Sequence, residues 1–170
     1  MLRLLFPRLT AEPASGAALF QWVSDRARES HWYLAGDVAD SVDGRFAMLA
    51  TVAALANLRL EQAGEEGSRA SVAMTERFIE VMESEHREMG LGDPKLGRTV
   101  RKLVGSLARR VALWRRALDA GDWQSGARDS VYGSADPSSA ALSHTAAKLK
   151  QLWLRLEAAP LDTVAQGRVG

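Results

Sequence analysis

The stretch Phe46 to Leu58, FAMLATVAALANL, runs 13 residues without a charge. Its large apolar side chains, Phe46, Met48, Leu49, Val52, Leu55 and Leu58, recur at helical spacing and leave little polar face. A helix of that kind has to be enclosed, either at the centre of a bundle or beneath a partner. It falls short of the ~20 residues that a bilayer span requires. The rest of the chain must therefore supply elements that cover it.

Those elements are helical, because 3-4 spacing recurs and sustained period-two alternation does not. A first helix is predicted over Ala17 to Ser30, with Leu19, Phe20, Trp22 and Val23 for packing, then an aromatic knot of His31, Trp32 and Tyr33. Asp40 or Ser41 caps the central helix, which runs to about Ala63. Ser68 or Ser71 opens a third helix that ends at Gly90, with Val72, Ile79, Met82, His86 and Met89 as its stripe. The fourth carries Val100, Leu103, Val104, Leu107, Val111, Trp114 and Leu118 and stops near Gly121. Gly121 to Ser139 reads as irregular, and a last helix with Leu142, Ala146, Leu149, Leu152, Trp153 and Leu156 ends at Pro160. The expected fold is all-α, a single-domain bundle of about five helices. Residues 1–16 and 159–170 are expected to be loose flanks of a helical domain over 17–158.

At 170 residues with 46% apolar content, the chain can bury one core without disulfides or metals. It has no cysteine, which excludes thiolate metal sites and cysteine nucleophiles together. With 18 arginines against 4 lysines and 28 alanines, the composition is that of a G+C-rich bacterial genome and says nothing of activity. No signal peptide or membrane span is legible, which points to a soluble cytoplasmic protein. Leu2, Leu4, Leu5 and Phe6 allow a peripheral contact with the inner face of a membrane.

Charge is segregated although the net value is only +1. Residues 61–93 hold nine acids and three arginines, whereas 94–118 hold eight Lys/Arg and no acid. Either the acidic third and basic fourth helices lie antiparallel and pair, or the basic side of helix 95–116 faces an anionic partner such as RNA, lipid or protein. Aromatics are not interleaved with the cations, so sequence-specific nucleic-acid binding is not expected.

Chemical motifs fail one by one. GLGDPKLG follows a helix, lacks Gly-Lys-Ser/Thr and carries Asp93, so it is a helix-turn-helix corner and no phosphate loop. Glu83 and His86 have di-iron spacing, but neither His31 nor His144 completes the second Glu-x-x-His pair that such sites need. No serine sits in a Gly-x-Ser-x-Gly elbow. No catalytic residue, metal or cofactor is expected.

Two stretches in order carry more than any single motif: SVDGRFAMLATVAALANLRLEQAG (Ser41 to Gly64) and MESEHREMGLGDPKLGRTVRKL (Met82 to Leu103). With Asp43-Gly44-Arg45-Phe46, Arg59-Leu60, the run Arg87 to Asp93, Gly97 and Ala117-Leu118, the chain resembles the ubiquinol–cytochrome c chaperone family. It departs at His86, where relatives carry an apolar residue, and at Leu107-Ala108-Arg109, which keeps only the arginine of an aromatic-Gly-Arg element.

The resemblance implies a non-catalytic factor that binds cytochrome b during assembly of the cytochrome bc1 complex, working with a small partner protein and near the ribosome. Asp43, Arg45, Phe46, Arg87, Glu88, Asp93, Arg98, Arg101 and Arg109 are the candidate partner-binding residues. For the motif charges two readings stand side by side. In one, Arg45 or Arg87 pairs with Glu88 or Asp93 and Asp43 caps a helix; in the other, they form a recognition patch beside an apolar groove. The alternative function is a ribosome- or RNA-associated protein acting through helix 95–116.

Overall fold

A computed structural model describes residues 13–90 and 92–170, with side chains from Gly16 onward apart from that of Asp93. The contact through Leu2, Leu4, Leu5 and Phe6 lies outside the described residues. The elements are α1 (Pro13–Ala27), α2 (Ser30–Leu34), α3 (Val42–Glu61), α4 (Gly64–Glu88), α5 (Asp93–Ala120), α6 (Trp123–Ala127), a π-helical turn (Arg128–Tyr132), α7 (Ser139–Ala158) and α8 (Leu161–Ala165). The fold is all-α, as the periodicity predicts.

The charge-free run is the axis of the molecule. Ser41 caps α3 by accepting from the Gly44 amide at 3.1 Å, and every residue from Thr51 to Leu58 is buried. Helices α1, α4, α5 and α7 and the π turn all pack on it. Met48, Val52 and Leu55 are each 0% exposed. Burial of this kind stabilises by roughly 1.5–3 kcal/mol for each large side chain.

Two polar side chains on α3 are buried and both are satisfied. Thr51 Oγ1 lies 2.6 Å from Ser130 Oγ of the π turn. Trp114 Nε1 donates to the same oxygen at 3.0 Å, and Arg110 Nε donates to the Ser130 carbonyl at 3.0 Å. Asn57 Oδ1 accepts from Ser71 at 2.7 Å. Arg59 donates to the carbonyls of Leu156 at 2.8 Å and Ala159 at 3.0 Å, closing the C-terminal end of α7, where carbonyls lack helical partners.

Four sequence expectations change. α4 begins at Gly64, one turn before Ser68, because Gly64 adopts φ +65° and reverses the chain only two residues after α3. The 121–139 stretch is no loose turn region: α6 and the π turn bury Ala127, Ser130, Val131 and Tyr132 against the core. The acidic and basic helices are not zipped together. α5 packs mainly on α3 through its apolar stripe, and its one salt bridge among the described residues runs from Arg115 to Glu61 at the end of α3. Finally, the tail folds back. Val164 of α8 is fully buried, and Trp22 Nε1 donates to the Val169 carbonyl at 3.1 Å, tying the tail to α1.

Replacing Leu55 by Ala should cost about 2–5 kcal/mol in urea unfolding, the range for emptying a buried leucine site. Leu154→Ala, at a position 52% exposed, should stay within about 0.5 kcal/mol. Equal losses at the two positions would contradict a core centred on α3.

Candidate functional site

The cover over α3 runs out at its N-terminal end. α1 stops at Ala27 and α4 at Glu88, and the short α2 bridges only part of the gap. The result is a groove of about 950 Å³ between the end of α1, α2, the start of α3, the end of α4 and Leu103 of α5. Its lining is mainly apolar, with Ala27, Leu34, Val42, Phe46, Leu49, Met82 and Met89 contributing. Leu34 is 81% exposed, Val42 72% and Met89 60%. Large apolar groups that stand this far out together are informative in a way that scattered ones are not.

Each wall is held by identifiable contacts. The aromatic knot is structural: Trp32, almost fully buried, donates from Nε1 to the Arg26 carbonyl at 2.7 Å, and Tyr33 donates to Ala27 at 2.9 Å. Burial raises the Tyr33 pKa. His31 Nδ1 lies 3.2 Å from His144 Nε2, linking α2 to α7, while its other nitrogen meets Glu29 at 2.9 Å. Burial, with His31 and Lys148 adding to it, lowers the His144 pKa.

At the start of α3 the backbone is too crowded for a side chain at Gly44, where a Cβ would sit 1.9 Å from the Ala39 carbonyl oxygen. This glycine of the Asp-Gly-Arg-Phe motif therefore lets the preceding loop cross the helix. Phe46, half-buried, meets the ring of Phe78 at 6.1 Å, and Arg110 lies 5.9 Å over its face. Burial, with Arg109 nearby, lowers the Arg110 pKa. On α4, His86 Nδ1 is 2.7 Å from the Met82 carbonyl and so carries the proton that it donates.

The predicted residues divide into groups. Asp43, Arg45, Phe46 and Glu88 all line the groove, so the two halves of the sequence signature meet there. Arg87 is exposed at the end of α4, outside the lining. The Asp93 backbone opens α5, but its side chain lies outside the described residues. Arg98, Arg101 and Arg109 are exposed on the outer side of α5.

The expected ion pairs are arranged differently. Arg45 pairs with Asp40 at 2.7 Å and not with Glu88, and Ser41, not Asp43, caps α3. Leu34 and Val42 were not among the predicted residues. Nothing in a sequence distinguishes an exposed leucine at the end of a short helix from a buried one. A second recess, about 560 Å³ near Glu61, Lys150 and Glu157, is more polar and is lined by both partners of the Arg115–Glu61 bridge.

The hydrogen bond and charge of Arg45 hold the Asp40 pKa below the ordinary carboxylate value. A depressed folded-state pKa means that the pair contributes to stability above the unfolded pKa and loses that contribution as pH falls through the folded one. In Arg45→Met, a carboxyl-carbon NMR titration should place Asp40 back near the ordinary range. An unmoved titration would mean that something other than Arg45 sets it.

Among curated proteins none matches the sequence. A solved structure, the crystal structure of the Cbp3 homolog from Brucella abortus, superposes with a TM-score of 0.79 at 22% identity, covering 100% of this chain and 96% of that one. At that identity the likeness is one of fold. The family profile described as ubiquinol-cytochrome C chaperone matches residues 35–160, a span that includes α3, α4, α5, α7 and most of the groove. The chain belongs to the ubiquinol-cytochrome C chaperone family.

Proposed function

We propose that this protein is a non-catalytic assembly chaperone of the cytochrome bc1 complex and that its α2–α3–α4 groove receives an apolar segment of cytochrome b. One observation carries the reading: Leu34, Val42 and Met89 stand exposed around a groove that also holds Asp43, Phe46 and Glu88 of both signature halves. Met82 and Met89 add side chains that adapt to varied apolar shapes. Among the described residues nothing covers the groove, so an apolar client segment would replace water there. No helix among the described residues is long and apolar enough to cross a membrane. In this reading the protein meets its client from the cytoplasmic side as a peripheral visitor.

In a deletion strain complemented with Leu34→Asp/Met89→Asp, cytochrome b and bc1 activity should fall toward the level of the deletion. A photo-crosslinker placed at Val42 should capture cytochrome b. Full bc1 assembly by a folded double variant would remove the groove from the function.

A second reading rests on α5. Lys95, Arg98, Arg101, Lys102, Arg109 and Arg116 are all exposed and, among the described residues, join no salt bridge. At 100° per residue they fall on one side of the helix, opposite Leu96, Val100, Leu107 and Trp114, and they extend over roughly 31 Å. Such a stripe suits a ribosomal RNA surface, with binding that weakens steeply as salt rises. Arg109→Glu/Arg116→Glu should abolish cosedimentation with ribosomes at low salt, and cosedimentation that ignores both salt and charge reversal would refute this role.

A further inference from the structure

The groove is apolar at its floor but unevenly charged at its rim. Asp43 on α3 and Glu85 and Glu88 on α4 are exposed lining residues that join no salt bridge among the described residues. Arg45 is matched by Asp40. Arg28 is the one remaining arginine on the lining, so three acids face a single cation.

Two of those acids occupy an unfavourable place. Glu85 and Glu88 lie in the last turn of α4, where the helix macrodipole is negative and the terminal carbonyls already repel carboxylates. His86 and Arg87 share that turn, but Arg87 is not part of the groove lining. Acids in such a position lower the stability of the free protein, and at the rim Arg28 is the one unmatched arginine on the lining to offset three of them. A cationic partner would offset the rest.

We infer that the groove is selective for an apolar segment with a Lys/Arg-rich flank, its apolar part on Leu34, Val42 and Met89 and its cations over Asp43, Glu85 and Glu88. This rests on the reading of the groove as the client site and adds the chemistry of what enters it. Basic residues beside an apolar helix are the mark of the cytoplasmic end of a membrane-spanning segment. The groove would thus recognise the end of such a helix that faces the compartment in which the chaperone works. An acidic flank would meet three like charges and be turned away, which sets orientation as well as affinity.

The test uses two fluorescein-labelled synthetic peptides with the same Leu/Ala-rich helix, one ending in lysines and the other in glutamates, titrated with the full chain by fluorescence anisotropy. The lysine peptide should bind about tenfold tighter at low salt, since three exposed charge pairs contribute at that scale, and the gap should narrow as salt is added. Asp43→Lys/Glu85→Lys/Glu88→Lys should reverse the order. All three sites are exposed; Glu88→Gln, which adds no charge, should by itself reduce the gap. Equal binding of both peptides, lost in Leu34→Asn, would overturn the charge selection while leaving the groove as the binding site. Binding that the uncharged Leu34→Asn does not weaken, or no binding of either peptide, would overturn the client groove itself.

Discussion

A helix buried on every side exists only if each neighbour offers it a matching surface and each of its polar atoms finds a partner. α3 imposes both conditions on this molecule. Its alanines, with Ala50, Ala53, Ala54 and Ala56 at or near zero exposure, leave room for several helices to approach one axis. Thr51 then requires a partner in the interior, which the π turn supplies through Ser130. The same serine also serves Trp114 and Arg110 of α5, so one turn joins the central helix to the longest one. Polar networks buried in this way hold together only when all members are satisfied.

The groove follows from where this enclosure ends. α1 and α4 both finish before covering the start of α3, and α2 is one turn long. Apolar side chains at that end therefore meet no surface among the described residues, although the helix beneath them is firmly anchored. Phe46 marks the transition: Phe78 and Arg110 hold its ring, while its outer edge belongs to the groove lining. With its floor packed in this way, little of the groove would have to be reordered for the apolar rim to be covered.

The sequence signature dissolves into distinct physical tasks once the chain is folded. Gly44 is required by the Ala39 carbonyl, and Arg59 closes the end of α7, so neither needs a partner molecule to account for it. Asp43 and Glu88 have no such internal employment among the described residues and sit on the groove rim. The acidic and basic helices were legible as charged, but of the two arrangements this allowed, pairing between them is not the one that formed. The apolar stripe of α5 is claimed by α3, and this rotation turns Arg98, Arg101 and Arg109 outward. Likewise Pro160 does end α7, yet an isolated proline gives no hint that Val164 will then be buried beside α1.

What the amino-acid order determined by itself is the set of five long helices, their apolar stripes and the centrality of Phe46 to Leu58. These depend on spacing within one segment and on caps such as Ser41, interactions that span a few residues. The signature stretches were visible too, because order and spacing are properties of a sequence. Only tertiary structure decided which apolar residues remain uncovered and which charges face one another. Leu34 and Val42 come from two different helices and Met89 caps the end of a third, and their shared exposure depends on where each helix stops relative to the others. That is set by long-range packing on α3, to which no local pattern has access.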